Sequence, residues 1–428
     1  MASPSICIIG AGCSGLTAVK NLLQVGITNL VCYEKSGQIG GNWVYRDDNE
    51  HSSVYETTHL ISSKTLSAYI DFPMPDEYPD YPSHKQILAY FQSYSQHFDL
   101  EKHIIFNTSV EKVEKIADER WRVTVSTGEI TEFDYVMVCN GHHWNPRYPE
   151  YQGNWGGDLM HSHFYKKAEP FRGKRVLVVG AGNSGCDVAV EVSRIAATCD
   201  ISMRRGYYIV PKLLMGKPTD TFNKGIVRLP NFLGAPLRRL GLYIAIGSYK
   251  DYGLEEPDYP LLKSHPVANS ELLYFLRHGK ITPRKDIARY EGNTVYFKDG
   301  VSAEYDTIIT ATGYKITFPF LDEKIVNFAE ADRIPLWLRA FHPEHRSLFF
   351  IGLMQPQGCI WPLSDYQSKL AANLMIKKWE LPSNIRELAE KDSDNIAKKF
   401  MSTKRHTIEV DFHEFVAELK MPMKRFGF

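Results

Sequence analysis

The sequence predicts an α/β fold with two domains, each containing a parallel sheet covered by helices. Three observations indicate it. The chain has 428 residues, enough for two or three domains. Apolar runs of strand length alternate with stretches of helical periodicity. A glycine-rich turn joins such a strand to such a helix near residue 10 and again near residue 180.

The first copy of this pattern begins at residue 5. Ser5–Ile9 is apolar without alternation, as in a parallel strand covered on both faces, and the turn Gly10–Gly15 follows with the spacing G-x-G-x-x-G. Helical periodicity then runs to Gly26, and the strand Leu30–Tyr33 delivers Glu34, 24 residues after the first glycine. An acid at this distance suits a ribose 2′-hydroxyl, which predicts an FAD site. A solvated acid at a strand end is the alternative.

The second copy has the opposite charge at the same spacing. The predicted strand Arg175–Val179 leads into the turn Gly180–Gly185, a helix and the predicted strand Ile201–Met203. Arg204 lies 24 residues after the first glycine, and Arg205 follows it. A guanidinium at this point suits a ribose 2′-phosphate and predicts NADPH, whereas ordinary surface charges are the alternative.

The glycines of each turn have distinct physical roles. The first allows the tight turn, the second lets the pyrophosphate approach the backbone, and the third allows close packing of helix on strand. Each helix N-terminus then offers backbone N–H groups and the positive end of its dipole to the phosphates.

The repetition extends to a later strand in each half. The predicted strands Tyr135–Val138 and Thr307–Thr310 each follow a Glu-aromatic-Asp triplet and lead to a glycine, Gly141 or Gly313. These glycines lie 131 and 133 residues after the first glycine of their turns. An alternating, hairpin-like stretch precedes each strand, the second with an Asp-Gly turn. Unless short common motifs coincide, the halves are two Rossmann-like copies of one plan.

These copies predict the domain boundaries. Residues 1–160 and 314–428 are expected to form a discontinuous FAD-binding domain, and residues 161–313 an NADPH-binding domain inserted within it. Residues from about 206 to 280 form a further insertion rich in Pro, Leu, Tyr and Gly. This insertion either roofs a substrate channel or is a surface subdomain.

Composition excludes several classes of protein. The formal charge is zero, so no nucleic-acid partner is expected. Seven cysteines without a C-x-x-C pair indicate core thiols in a reducing compartment, hence the cytoplasm, and argue against a dithiol reductase. The His pairs at 142–143 and 161–163 lack accompanying ligands, so no metal is expected.

Neither a signal peptide, nor a transmembrane segment, nor a C-terminal anchor is predicted from the sequence. The stretch Leu237–Ile246 is apolar with two arginines, so it either touches a membrane surface peripherally or packs on its own protein. The oligomeric state is left open, a homo-oligomer included.

A fingerprint lies between the two copies. The pattern Trp155-x-Gly157-x-x-x-His161-x-x-x-Tyr165 resembles F-x-G-x-x-x-H-x-x-x-[F/Y] of the flavin-containing monooxygenases, with Trp in place of the leading Phe. Related Baeyer–Villiger enzymes usually end this pattern with Trp, so Tyr165 favours the former group. His161 is expected to stabilise the linker rather than take part in chemistry.

Four other segments resemble motifs of the same family: a G-G-x-W motif, the NADPH loop, an A-T-G-Y motif and the flavin-side loop and helix. They are Gly40–Trp43, Gly182–Asp187, Ala311–Tyr314 and Gly358–Gln367. The resemblance spans about residues 5–205 and 280–376.

The resemblance implies the chemistry. NADPH would pass a hydride to FAD, dioxygen would form a C4a-hydroperoxyflavin, and a soft nitrogen or sulfur of a small organic substrate would attack it. Bound NADP⁺ would cover the intermediate. Baeyer–Villiger oxygenation of a ketone and plain NADPH oxidation are alternatives, and a non-catalytic flavin-binding redox sensor is the alternative of another class.

One departure from the family concerns the flavin environment. Many members place Asn in a segment where this chain has Ile61, which cannot donate a hydrogen bond. Ser62 or Ser63 is the substitute candidate for contacting the hydroperoxide or NADP; if neither does so, more NADPH is expected to be lost as peroxide. Lys64 either pairs with a cofactor phosphate or is solvated.

Because the flavin does the chemistry, no residue is assigned as catalytic. The residues expected to contact one cofactor or the other are Gly10, Ala11, Gly12, Cys13, Ser14, Gly15, Glu34, Lys35, Gly41, Asn42, Trp43, Ile61, Ser62, Lys64, Gly180, Gly182, Asn183, Ser184, Gly185, Cys186, Asp187, Arg204, Arg205, Thr312, Gly313 and Gln367.

Overall fold

The computed structural model describes residues 3–47, 52–221, 231–401 and 406–428, and these form two compact units. The first unit consists of residues up to 45 with 64–145 and 315–428. The second unit consists of residues 46–63 and 146–314. Part of the predicted insertion, residues 222–230, lies outside the described residues.

The strands, in chain order, are β1 (Ile6–Ile9), β2 (Leu30–Tyr33), β3 (Ile104–Ile105), β4 (Val110–Lys115), β5 (Trp121–Val125), β6 (Ile130–Phe133), β7 (Tyr135–Val138), β8 (Asp158–His161), β9 (Arg175–Val179), β10 (Thr198–Ser202), β11 (Ile209–Val210), β12 (Leu213–Leu214), β13 (Lys217–Pro218), β14 (Val267–Ala268), β15 (Thr282–Arg284), β16 (Ile287–Glu291), β17 (Thr294–Phe297), β18 (Ser302–Glu304), β19 (Thr307–Thr310), β20 (Leu348–Phe350), β21 (Gln355–Pro356) and β22 (Glu409–Val410).

The helices of the described residues are α1 (Cys13–Gln24), α2 (Lys64–Ser67), α3 (His84–His97), α4 (Asn183–Ser193), α5 (Asn231–Ile246), α6 (Glu271–Arg277), α7 (Ile360–Met375), α8 (Ile385–Lys399) and α9 (Phe412–Phe426). Within these described ranges, we find no helix with the length and apolar character needed to cross a bilayer.

Each unit contains a five-stranded parallel sheet, and the two sheets have the same plan. The first has the order β20-β7-β1-β2-β3 and the second the order β8-β19-β9-β10-β15. In both, the strand before the glycine turn lies between the strand after the helix and the late strand of the repeat. The predicted repetition is therefore confirmed at the level of strand order.

A three-stranded antiparallel sheet accompanies each parallel sheet, β4-β5-β6 in the first unit and β16-β17-β18 in the second. The hairpin β17-β18 turns at Gly300, whose φ is +85° and whose amide donates to the carbonyl of Phe297. The predicted Asp-Gly turn is thus confirmed.

The boundaries of the units differ from the predicted ones. Residues 146–160, expected in the first domain, lie in the second unit because β8 pairs in parallel with β19. Residues 46–63 also lie in the second unit. A short edge strand and a loop carry no periodicity that a sequence could reveal.

The C-terminal third completes the first unit by packing on α1. The ammonium of Lys20, only 2% exposed, donates to Asp71 and to Asp365 of α7, both at 2.8 Å. Thr17 and Ser368 join the same two helices through a 3.0 Å hydrogen bond. A buried charge of this kind is tolerated only when paired, so these contacts fix α7 beside the helix that follows the first glycine turn.

The predicted insertion contributes to the second unit's core. Leu272 and Leu276 of α6 are buried in the same cluster as Val188 and Val192 of α4. By contrast, α5 exposes four large apolar side chains, Leu237, Leu240, Tyr243 and Ile244.

Candidate functional site

The first glycine turn lies at the C-terminal end of β1. Gly10 has φ +97°, and a β-carbon there would lie 3.0 Å from the carbonyl oxygen of Cys139. A β-carbon on Gly15 would lie 1.8 Å from the carbonyl oxygen of Gly10. Only glycine fits these positions, because Gly10 has a positive φ and the atom that obstructs a β-carbon on Gly15 is backbone and cannot move aside.

The second turn repeats this geometry. Gly180 has φ +108°, and its β-carbon would lie 2.6 Å from the carbonyl oxygen of Ala311, the counterpart of Cys139. A β-carbon on Gly185 would lie 2.0 Å from the carbonyl oxygen of Gly180. The two turns therefore have the same backbone geometry, and we call each of them a glycine cradle.

The helix that follows each turn begins without a side-chain cap. Gly12 caps α1 with φ −74° and ψ −171°, and Gly182 caps α4 with φ −77° and ψ 179°. Neither glycine has a side chain that could accept from the first-turn amides. A helix start of this kind suits the phosphates of a dinucleotide, so both cradles fit such a ligand.

Glu34 is buried beside the first turn. Its carboxylate accepts from the amide of Ala11 at 2.7 Å and from the amide and hydroxyl of Ser36, both at 2.8 Å. The acid therefore ties the glycine turn to the end of β2, and Lys35 beyond it is exposed.

Arg204 differs from the expected match by one residue. In the first unit, the amide of Glu34 donates to the carbonyl of Ile105. In the second unit, the equivalent hydrogen bond runs from the amide of Met203 to the carbonyl of Arg284. Met203 is therefore the counterpart of Glu34, and the exposed Arg204 lies one residue further along the chain. The reason is that β10 covers Thr198–Ser202 rather than the predicted Ile201–Met203.

Arg205 points to aromatic side chains. Its guanidinium lies 5.4 Å from the ring centre of Tyr207 and 5.3 Å from that of Tyr259. These cation–π contacts hold Arg205 against its own unit, and Arg204 is the more exposed of the two.

Other residues assigned to the first cofactor surround the first turn. Gly41–Trp43 form a 3₁₀ turn that contains Asn42, and the amide of Gly40 donates to the carbonyl of Ala11 at 3.1 Å. The rings of Trp43 and Trp361 meet edge to face with their centres 5.6 Å apart. The side chains of Cys13 and Ser14 lie within 3.9 Å of each other at the start of α1.

Gln367 uses both of its polar atoms within the protein. Its side-chain oxygen accepts from the amide of Gly352 at 2.9 Å, and its nitrogen donates to the carbonyl of Leu338 at 2.8 Å. A β-carbon on Gly352 would lie 2.2 Å from the hydroxyl of Ser14. Gln367 thus holds the backbone of Gly352 closely against the start of α1.

Lys64 has hydrogen-bond partners within its own unit. Its ammonium donates to the carbonyls of Pro75, Asp76 and Tyr78 at 3.4, 2.7 and 2.6 Å. The side chain is therefore committed to fastening the loop before α3, which the sequence did not indicate.

The residues from Asn183 to Asp187 make their side-chain contacts within their own unit. Asn183 accepts from the amide of Ala268 at 2.9 Å, Cys186 is fully buried and Ser184 is exposed. Asp187 accepts from the hydroxyl of Tyr55 at 2.9 Å and from the side-chain amide of Asn269 at 2.5 Å. Burial raises the pKa of Asp187.

Thr312 and Gly313 follow β19 in the second unit. The Thr312 hydroxyl donates to the carbonyl of Arg147, and the carbonyl of Gly313 accepts from the amide of Arg147 at 2.9 Å. Gly313 has φ +83°, so glycine is required for this bend.

The fingerprint residues are structural in their contacts. His161 is fully buried and accepts from the amide of His163 at 3.1 Å, and burial lowers the pKa of His161 to about 4. The hydroxyl of Tyr165 donates to Glu191 of α4 at 2.8 Å, and burial raises the pKa of Glu191 to about 7. Through Tyr165, the linker is pinned to the helix of the second turn.

Ile61, Ser62 and Ser63 lie in the second unit. Ile61 is 39% exposed, whereas Ser63 is fully buried and its amide donates to Asp220 at 2.7 Å. Sequence reasoning missed Asp220, Tyr55 and Asn269, because each acts through a contact distant in the chain and none belongs to a motif. No cluster of three metal-binding side chains occurs in the part of the chain that the structure describes.

Comparisons with known proteins agree with this geometry. A family model described as flavin-binding monooxygenase-like matches residues 3–424. Flavin-containing monooxygenase 5 of Mus musculus is 34% identical over 443 residues, covering 98% of this chain and 82% of its own. The N-oxide-forming dimethylaniline monooxygenase 2 of Pan troglodytes is 32% identical over 442 residues, covering 97% and 82%.

Solved structures share the fold. An S-allyl-L-cysteine S-oxygenase from Allium sativum has a TM-score of 0.74 at 24% identity, covering 98% of this chain and 88% of that chain. A cyclohexanone monooxygenase from Rhodococcus sp. Phi1 bound to NADP⁺ has a TM-score of 0.73 at 16% identity, covering 99% and 98%. The predicted fold class, with two Rossmann-like domains, is confirmed.

Proposed function

Because this chain belongs to the flavin-binding monooxygenase-like family and is an FAD- and NADPH-dependent monooxygenase, we propose that it oxygenates a soft nitrogen or sulfur centre of a small organic molecule. The similar protein named for dimethylaniline N-oxide formation supports a nitrogen centre. The identity of Tyr165 supports this reaction over ketone oxygenation, on the resemblance of the fingerprint.

One observation carries the assignment of the two cofactors: the same glycine cradle occurs twice, with an acid near one copy and an arginine near the other. We assign FAD to the first unit, held by Gly10–Gly15 and Glu34, and NADPH to the second unit, held by Gly180–Gly185 and Arg204. The functional boundaries then follow those of the two units.

The chemistry that FAD supplies when bound is the transfer of two electrons from NADPH to dioxygen. The protein binds and orients both dinucleotides and excludes water. The buried Glu34–Ala11 contact orients the first turn, and the Tyr165–Glu191 contact orients the helix after the second. Gln367 and Lys64 are proposed to shape the first site rather than to ligate a cofactor phosphate.

The experiment that tests this proposal measures oxygenated product and NADPH consumed with amines, thioethers and ketones. We expect N- or S-oxides in preference to esters or lactones. Products from ketones alone would show that the substrate class is wrong, although the enzyme class would stand.

NADPH oxidation with release of hydrogen peroxide is a second candidate, favoured by Ile61. Its side chain offers no hydrogen bond at the position where the family resemblance implies Asn in many members. Ser62, which is partly exposed, is proposed as the substitute contact for the oxygen intermediate or NADP, because the side chain of Ser63 is fully buried.

Replacement of Ile61 by Asn is expected to lower the peroxide released per NADPH consumed by about two- to tenfold, since one added hydrogen bond contributes about 0.5–1.5 kcal/mol. Peroxide and NADPH would be measured in the same assay. Ile61→Leu is the matched control and should leave the ratio unchanged. An unchanged ratio in Ile61→Asn would mean that a serine already fills the role.

We also propose peripheral contact with a membrane through α5. Leu237, Leu240 and Ile244 lie at helical spacing and are 50%, 55% and 73% exposed, and Arg239 beside them is exposed as well. An apolar stripe flanked by arginine is typical of a helix that lies on an anionic surface.

Sedimentation with vesicles of anionic lipid is expected to bring down the protein, and the double substitution Leu240→Glu/Ile244→Glu to abolish this binding. Binding that persists in the double variant would assign the contact to another surface. If the double variant instead has a lower molecular mass in solution than the wild-type protein, α5 would be the contact with a second copy of the chain in a homo-oligomer.

A cytoplasmic location is proposed from the cysteines. All seven are free thiols, and six of them are buried. Buried free thiols suit a reducing compartment.

A further inference from the structure

The segment 52–63 belongs to the second unit although its sequence lies between motifs of the first. The ammonium of Lys166 donates to the carbonyls of Ser52 and Val54, and the amide of Glu56 donates to the carbonyl of Lys166 at 2.8 Å. The hydroxyl of Tyr55 donates to Asp187 on α4. The segment is therefore attached to the helix that follows the second glycine turn.

A hairpin of the insertion is hydrogen-bonded to the end of this segment. β12 and β13 pair antiparallel, with Lys212 before the first strand and Asp220 two residues after the second. The ammonium of Lys212 donates to the carbonyl of Leu60 at 3.4 Å, and the carboxylate of Asp220 accepts from the amide of Ser63 at 2.7 Å. The two contacts bracket Ile61 and Ser62.

The contact with Asp220 is the stronger of the two. It is short and charge-assisted, and it satisfies the amide of a residue whose side chain is fully buried. The next residue, Lys64, belongs to the first unit, where its amide donates to the carbonyl of Asp80 at 2.8 Å. Asp220 thus makes the last contact of the segment with the second unit before the chain leaves it.

We propose that Asp220, assisted by Lys212, is a positioning residue that sets where Ile61 and Ser62 lie relative to bound NADP. This inference rests on the proposed function. It gives the insertion a role that is neither a channel roof nor a separate subdomain. Loss of the contact should leave hydride delivery intact and divert more electron pairs to peroxide, in the balanced reaction NADPH + H⁺ + O₂ → NADP⁺ + H₂O₂.

The test compares Asp220→Ala, Asp220→Asn and a control, Asp258→Ala, whose carboxylate is exposed in the same unit. Asparagine keeps an oxygen that can accept from Ser63, so it should restore most of the wild-type behaviour. FAD content and melting temperature establish that each variant is folded.

Three readouts are measured. Hydrogen–deuterium exchange without NADPH should be at least tenfold faster at the Ser63 amide in Asp220→Ala and unchanged in Asp258→Ala. Peroxide released per NADPH should rise at least threefold in Asp220→Ala, while the rate of anaerobic flavin reduction stays within twofold.

If the Ser63 amide of Asp220→Ala exchanges at the wild-type rate, the contact with Asp220 is wrong. If it exchanges faster but the peroxide released per NADPH stays at the wild-type value, the positioning role is wrong. A fall in flavin reduction equal to the loss of product would also overturn it, because the residue would then serve nucleotide binding alone. Failure of the proposed function would look different, since the wild-type protein itself would form no oxygenated product.

Discussion

Replacement of Gly185 by Ala is expected to reduce flavin reduction by NADPH about 10- to 150-fold while FAD stays bound. The added β-carbon would lie 2.0 Å from the carbonyl oxygen of Gly180, so the turn must open. Overpacking costs about 1–3 kcal/mol even where side chains can adjust, and here the obstructing atom is backbone. Anaerobic stopped-flow reduction measures the rate, and the flavin absorption measures bound FAD.

Gly241→Ala is the matched control, since a β-carbon at Gly241 on α5 meets nothing within 4 Å. It should reduce its flavin at the wild-type rate. A wild-type rate of flavin reduction in Gly185→Ala would contradict the assignment of NADPH to the second turn. Loss of FAD from this variant would contradict it as well.

Replacement of Arg204 by Ala is expected to lower the preference for NADPH over NADH by about 10- to 150-fold. A charge-assisted hydrogen bond to phosphate contributes about 1.5–3 kcal/mol, and only NADPH carries the 2′-phosphate. The measurement is kcat/KM for each nucleotide. Arg289→Ala, on the exposed strand β16 of the same unit, is the control and should leave the ratio unchanged.

Equal losses for the two nucleotides in Arg204→Ala would contradict the assignment. The one-residue offset between Arg204 and the counterpart of Glu34 makes this outcome informative. If the offset matters, Met203→Arg should restore the preference in the Arg204→Ala background.

Local signals in the sequence predicted much of the fold. The bounds of β2, β7, β9 and β19 are those predicted, because each is a short run rich in apolar residues that lies next to an acidic residue or a glycine. The glycine turns were predictable for a similar reason, since close backbone approach admits no other residue.

Contacts between distant residues could not be predicted in this way. Nothing near Ser63 indicates that its amide meets Asp220, and nothing near Tyr55 indicates Asp187. The contacts of the Lys64 ammonium with backbone carbonyls were likewise unpredictable, because no pattern of charged residues indicates them. The predicted match of Arg204 with Glu34 was off by one residue because β10 ends at Ser202, one residue earlier than the predicted strand.

The site was therefore predictable where it depends on backbone shape and not where it depends on tertiary contacts. The acid at Glu34 was found because it belongs to a spaced motif. The segment 52–63 was placed with the wrong unit, because its anchors are spread over residues 166 to 220.

Anaerobic titration of the purified, FAD-containing protein with NADPH tests the central claim most directly. If one cradle holds FAD and the other NADPH, the visible flavin absorption should bleach with one NADPH per flavin and return when oxygen is admitted. Flavin that stays oxidised under excess NADPH, or protein that carries no flavin, would contradict the claim; the first result would indicate a flavin-binding sensor instead.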